Sequence, residues 1–177
     1  VMGTYPNNSP SNLRNGFQFG VDTPDEPFVI NTTVSGLPED PGHVENVGIQ
    51  IGDGTQDSFV KLMIGDEEVA DGDDPKVEFS YEFPNEGFYS DQDYTSVSGL
   101  AGPSDPKTNL SLVVYPNQGE HGVIEAHYKP EGGDWTQYVS SDSSIGSSIA
   151  IPSDDWLNES DGQGLAVGII AEAVDVS

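Results

Sequence analysis

Two glutamates, Glu78 and Glu82, flank Ser80 in the run VEFSYEF, Val77 to Phe83. At that spacing on a strand both carboxylates leave the same face. Paired carboxylates can act as nucleophile and acid/base in glycoside hydrolysis when they stand about 5–5.5 Å apart. The competing reading is a solvated strand face in an acid-coated protein.

A second group is Gly65 to Pro75, with six acids in eleven residues: Asp66, Glu67, Glu68, Asp71, Asp73 and Asp74. Calcium takes six to eight oxygen ligands, so Asp66, Asp71, Asp73 and Asp74 are the candidate Ca²⁺ ligands, with Asp53 and Asp57 a further possibility. Acids are abundant throughout this chain, so a local cluster is equally read as ordinary surface.

A third group is aromatic. Trp135, Tyr138, Tyr128 and Trp156 could each offer a ring to the apolar C–H face of a sugar. Tyr89, Asp91, Asp93 and Tyr94 could rim such a site, with the acids accepting hydroxyls. The candidate ligand-binding set is thus Tyr89, Asp91, Asp93, Tyr94, Trp135 and Tyr138. Large aromatics are otherwise core residues. His43, His121 and His127 have no metal-ligand spacing, and no Ser-His-Asp set, phosphate loop or dinucleotide fingerprint is present.

These residues need extended segments to position them. Val47 to Ile64, VGIQIGDGTQDSFVKLMI, alternates apolar and polar residues on both sides of Asp53-Gly54. Period two with a turn that tolerates positive φ predicts a hairpin. Further strands are predicted at 16–21, 28–34, 77–83, 110–115, 123–129, 135–139 and 145–151. Leu165 to Val174 is apolar on both sides, as in a central strand. Residues 84–107 show little periodicity and are predicted irregular, with a short strand at Ser96 to Leu100. Pro152 to Leu157 is predicted to form a single helical turn. About ten short strands without a long amphipathic helix predict an all-β, two-sheet antiparallel β-sandwich of the jelly-roll kind. Residues 1–15, rich in Asn, Ser and Pro, read as a lead-in, and 16–177 as one domain.

Composition narrows the setting. Of 177 residues, 31 are acidic and 5 basic, for a formal net charge of −26, which repels nucleic acid and anionic lipid. There is no cysteine, so disulfides and thiolate chemistry are excluded. No apolar run could span a membrane as a helix, and no signal peptide is visible. Self-repulsion on this scale is relieved where salt near 1 M cuts the Debye length to roughly 3 Å. A patterned, Asp-rich, Lys-poor chain is therefore expected in brine. Four sites fit the N-glycosylation pattern, at Asn7, Asn31, Asn109 and Asn158; each is a common chance match, and together they fit export at least as well as a cytosolic life.

With the strands placed, the chain from Gly16 onward resembles the concanavalin A-like lectin/glucanase superfamily, and more narrowly the laminin-G-like modules of exported halophilic proteins. Gly48, Ile49, Gly52, Gln56, Asp57, Phe59, Val60, Lys61 and Leu62 carry the hairpin part of the likeness. Tyr128, Gly132, Gly133 and Trp135 carry a second strand pair. The resemblance implies a jelly roll, a plausible Ca²⁺, and a module within a larger multidomain chain at the cell surface or outside it. Glucanases of the superfamily place an aspartate between their two glutamates, whereas Ser80 stands there in this chain. The leading expectation is a non-catalytic module that binds carbohydrate or a cell-surface glycan. The alternatives are an adhesive spacer without a ligand, or a glycoside hydrolase using Glu78 and Glu82.

Overall fold

The computed structural model describes residues 3–4, 10–11, 13–35, 43–54, 58–66, 76–83, 87–96, 107–140, 146–153, 156–157 and 165–175. The strands, in chain order, are β1 (Gly3–Thr4), β2 (Pro10–Ser11), β3 (Leu13–Val21), β4 (Phe28–Ser35), β5 (His43–Gly52), β6 (Phe59–Asp66), β7 (Lys76–Phe83), β8 (Gly87–Ser96), β9 (Lys107–Tyr115), β10 (Val123–Pro130), β11 (Thr136–Gln137), β12 (Ile149–Ala150) and β13 (Leu165–Asp175). No α-helix occurs among the described residues.

The hairpin of β5 and β6 anchors the larger sheet. Gly54 takes the turn at φ 87°, a conformation that a Cβ would strain, and the Asp53 amide donates to the Ser58 carbonyl at 3.4 Å. Val47 pairs with Ile64, Ile49 with Leu62 and Ile51 with Val60, so the apolar side chains of both strands share one face. β7 continues that face with Val77, Phe79 and Tyr81. On the other side β13 enters between β5 and β3, giving the order β3-β13-β5-β6-β7-β8. The smaller sheet runs β11-β10-β9-β4, with β12 also paired to β10. All pairings are antiparallel.

The two sheets pack face to face. Ile49, Ile51, Val60, Leu62, Ile64, Val77, Phe79 and Phe83 from the larger meet Leu110, Leu112, Val114, Ile124, Ala126 and Tyr128 from the smaller in one core. Alternation along each strand sends every second side chain inward, and that is what two facing antiparallel sheets require. Trp156 closes one end: its ring stands edge-on to Phe83, with centroids 5.5 Å apart, and its indole N–H donates to the Ser58 hydroxyl at 2.9 Å. Beside it the Thr23 hydroxyl donates to the Leu157 carbonyl at 2.7 Å.

The chain departs from the sequence expectations at several places. The lead-in contains strand: β1 pairs with β2, and β3 begins at Leu13 rather than Gly16. β8 occupies Gly87–Ser96 inside the stretch expected to be irregular. Its polar residues hide the period-two signal in the sequence, and its place is given by antiparallel pairing with β7. The segments expected at 135–139 and 145–151 contribute only the short strands β11 and β12, although the Tyr138 amide still donates to the Ala126 carbonyl at 2.8 Å. Ile145 and residues 97–100 lie outside the described residues. In the segment 152–157 the Trp156 amide donates to the Ser153 carbonyl at 3.5 Å, as a single turn would have it.

Candidate functional site

The outward face of the smaller sheet gathers polar residues from four strands. Register places Asn31 of β4 beside Ser111 of β9, Ser111 beside His127 of β10, and His127 beside Gln137 of β11. Directly paired residues point to the same side, so these four form a row across the strands. At about 4.8 Å per strand the row spans roughly 14 Å. One flanking row holds Thr33, Asn109 and Lys129, and the Thr33 hydroxyl donates to Asn109 Oδ1 at 2.8 Å. The other holds Val29, Val113 and Glu125.

Glu125 organises the centre of the face. Its Oε2 accepts from the Tyr115 hydroxyl at 3.3 Å and lies 3.3 Å from His127 Nε2. Burial, and then the neighbouring Glu125 carboxylate, raise the Tyr115 pKa above the ordinary phenol value, so the hydroxyl stays a donor at neutral pH. Gln137 Nε2 donates to the Ser147 carbonyl at 3.3 Å, which holds its side chain in place at the end of the row.

Trp135 stands two residues before Gln137, just beyond the turn in which Gly132 takes φ 73° and the Gly133 amide donates to the Pro130 carbonyl at 3.0 Å. Its side chain is 49% exposed. An indole left in water beside amide and imidazole groups can stack on one sugar face while those groups meet the hydroxyls; Ser111, in the middle of the row, is itself buried.

The other candidate residues disperse. Tyr138 is 1% exposed and packs edge-on against Phe79 at 5.9 Å, so its ring belongs to the core and cannot serve as a surface platform. Tyr128 and Trp156 are core as well. Burial raises the Tyr128 pKa. Tyr89, Asp91, Asp93 and Tyr94 lie along β8, with Tyr89 opposite Tyr81 and Asp91 opposite Phe79. They belong to the edge strand of the larger sheet, whereas Trp135 flanks the smaller.

Asp66 ends β6, while Asp71, Asp73 and Asp74, with Glu67, Glu68 and Asp57, lie outside the described residues. Among the described residues no three His, Asp or Glu side chains come together as metal ligands.

The β7 face that carries the two candidate glutamates is shielded at Glu78 and half-buried at Glu82. Glu78 is 6% exposed and Ser80 is fully buried. The Ser80 hydroxyl donates to Glu78 Oε1 at 2.7 Å, and Lys61 Nζ, itself 2% exposed, lies 3.8 Å from the same oxygen. Gln50 and Met63, on the same outward face of the sheet, are buried too. Parity assigned these residues to the face away from the core correctly, but it carries no information on whether that face is covered. Glu78 is thus committed to a lysine and a serine, an arrangement that serves an internal ion pair better than attack on a substrate.

No family model, curated protein or solved structure matches this chain.

The row Asn31–Ser111–His127–Gln137 was not singled out in the sequence. It could have been found there: with the turn fixed between Tyr115 and Val123, counting back along β9 and forward along β10 puts Ser111 opposite His127.

Proposed function

We propose that the chain is a non-catalytic accessory module, a jelly roll of the concanavalin A-like kind within an exported halophilic protein, and that it binds carbohydrate on the outward face of its smaller sheet. The observation that carries this reading is the exposed Trp135 at the end of a polar row. A pyranose stacked on the indole would extend its hydroxyls toward Gln137 and His127, and further sugar units would pass over the buried Ser111 toward Asn31. Such binding needs hydrogen-bond donors and acceptors beside an aromatic ring, and the strands supply them without loop rearrangement.

A spacer without a ligand has less reason to leave a tryptophan half in water, since exposed aromatic surface costs solubility. Affinity electrophoresis against a panel of soluble polysaccharides in high salt tests the reading. Retardation by at least one glycan is expected, and Trp135→Ala should weaken it on the order of tenfold, equivalent to about 1.4 kcal/mol. The fold should be undisturbed, because the side chain is exposed. Equal migration in every polysaccharide would leave the spacer reading in its place.

A further inference from the structure

The strongest unexplained surface is at the opposite edge of the larger sheet. β4, the border strand of the smaller sheet, packs over β5. The larger sheet continues past it with β13 and then β3, whose outer edge pairs with no described strand. Ile169 is registered with Ile49, a core residue, and Phe17 with Ile169, so both point to the side on which the core lies. Phe19 shares that side through its pairing with Val167. At the other end of the same face Leu165 and Val167 are buried in the core. Phe17, by contrast, is 68% exposed, Phe19 and Ile169 are each about half exposed, and the two phenyl rings lie 6.0 Å apart. An apolar shelf of this kind marks an interaction surface.

Charge says what kind of partner fits. All 31 acids of the chain fall after residue 21, and residues 1–21 hold none, with Arg14 their only charged side chain. β3 is therefore an acid-free strand, with Arg14 its one charge, on a molecule of net charge −26, and two copies can approach along it without opposing carboxylates from the strand itself.

We propose that the chain forms an isologous dimer through this shelf, with Phe17, Phe19 and Ile169 of each copy packed against the same residues of the second. An apolar contact within an acidic shell associates more strongly as salt rises, because screening removes repulsion between the subunits while the buried contact persists. Ion-pair association would show the reverse.

Sedimentation velocity on the full 177-residue chain, over a range of concentration in low and molar NaCl, tests the proposal. A monomer–dimer equilibrium that shifts to dimer with salt is expected, and Phe17→Glu with Phe19→Glu should return it to monomer while the circular dichroism spectrum is kept. The chain has no cysteine, so Phe17→Cys, Phe19→Cys and Ile169→Cys each introduce a single thiol. At least one should cross-link to a covalent dimer on mild oxidation. A monomer under all conditions, a dimer indifferent to the glutamates, or three thiols that never cross-link would overturn the proposal, as would a different segment or partner found seated on the shelf.

Discussion

Lys61 shows how far one side chain can depart from its sequence neighbourhood. It sits between Val60 and Leu62 on a strand, where a lysine ordinarily points to water, yet it is almost wholly buried. Glu78 beside it neutralises the charge, and the Ser80 hydroxyl satisfies part of the carboxylate. Lys61 Nζ also lies 6.0 Å from the Phe59 ring centroid. Burying such a pair gains little over an apolar replacement of both, but removing one partner strands the other charge. Lys61→Met should therefore cost about 3 kcal/mol in urea unfolding. Lys61→Met combined with Glu78→Leu should recover much of the loss. If the single variant unfolds like the parent chain, the pair carries no stability. Trp135 is the reverse case, an apolar side chain kept in water, and for that reason its removal is expected to register in ligand binding rather than in folding.

At the scale of the element, the β5–β6 hairpin is held by what its glycines lack. A Cβ on Gly48 would run into the Leu62 carbonyl, and one on Gly52 into the Ser58 carbonyl, so the facing strands close on each other at both points. Gly20, on β3, has open space around its would-be Cβ. Gly48→Ala is expected to destabilise by about 3 kcal/mol or more, since backbone rather than a movable side chain stands in the way. Gly20→Ala should change stability by less than about 0.5 kcal/mol. Thermal unfolding of the two variants side by side checks the contrast. The hairpin was legible in the sequence because Val47, Ile49, Ile51, Val60, Leu62 and Ile64 keep strict alternation around a turn dipeptide. β8 was not, because its own residues show no apolar period, and its place is given by pairing with β7.

For the whole molecule the governing quantity is a net charge of −26 on 177 residues. Repulsion among surface carboxylates falls steeply once the Debye length drops from about 10 Å at 0.1 M to roughly 3 Å at 1 M salt. The melting temperature should rise by several degrees between those conditions, and sodium chloride should act almost as well as potassium chloride because the effect is screening. Differential scanning calorimetry across that range decides it: a flat curve would remove the argument for a life in brine. The salt-driven dimerisation inferred above would add a concentration-dependent part to the rise, which dilution separates from screening within one chain.

Periodicity, turn dipeptides and composition were enough to specify extended segments, their inward faces and an acid-coated two-layer sandwich, because each is a local property carried by neighbouring residues. What they could not give is which strands lie beside which, and how far one sheet runs past the other. Those follow from pairing across long sequence separations, as when β13 inserts between β3 and β5. It is that pairing which aligns Asn31, Ser111, His127 and Gln137 in one row, sends Tyr138 into the core, buries Lys61 with Glu78, and leaves Phe17 in water. The physical reason is that burial and cross-strand contact are properties of a surface assembled from distant segments, and no single segment holds them.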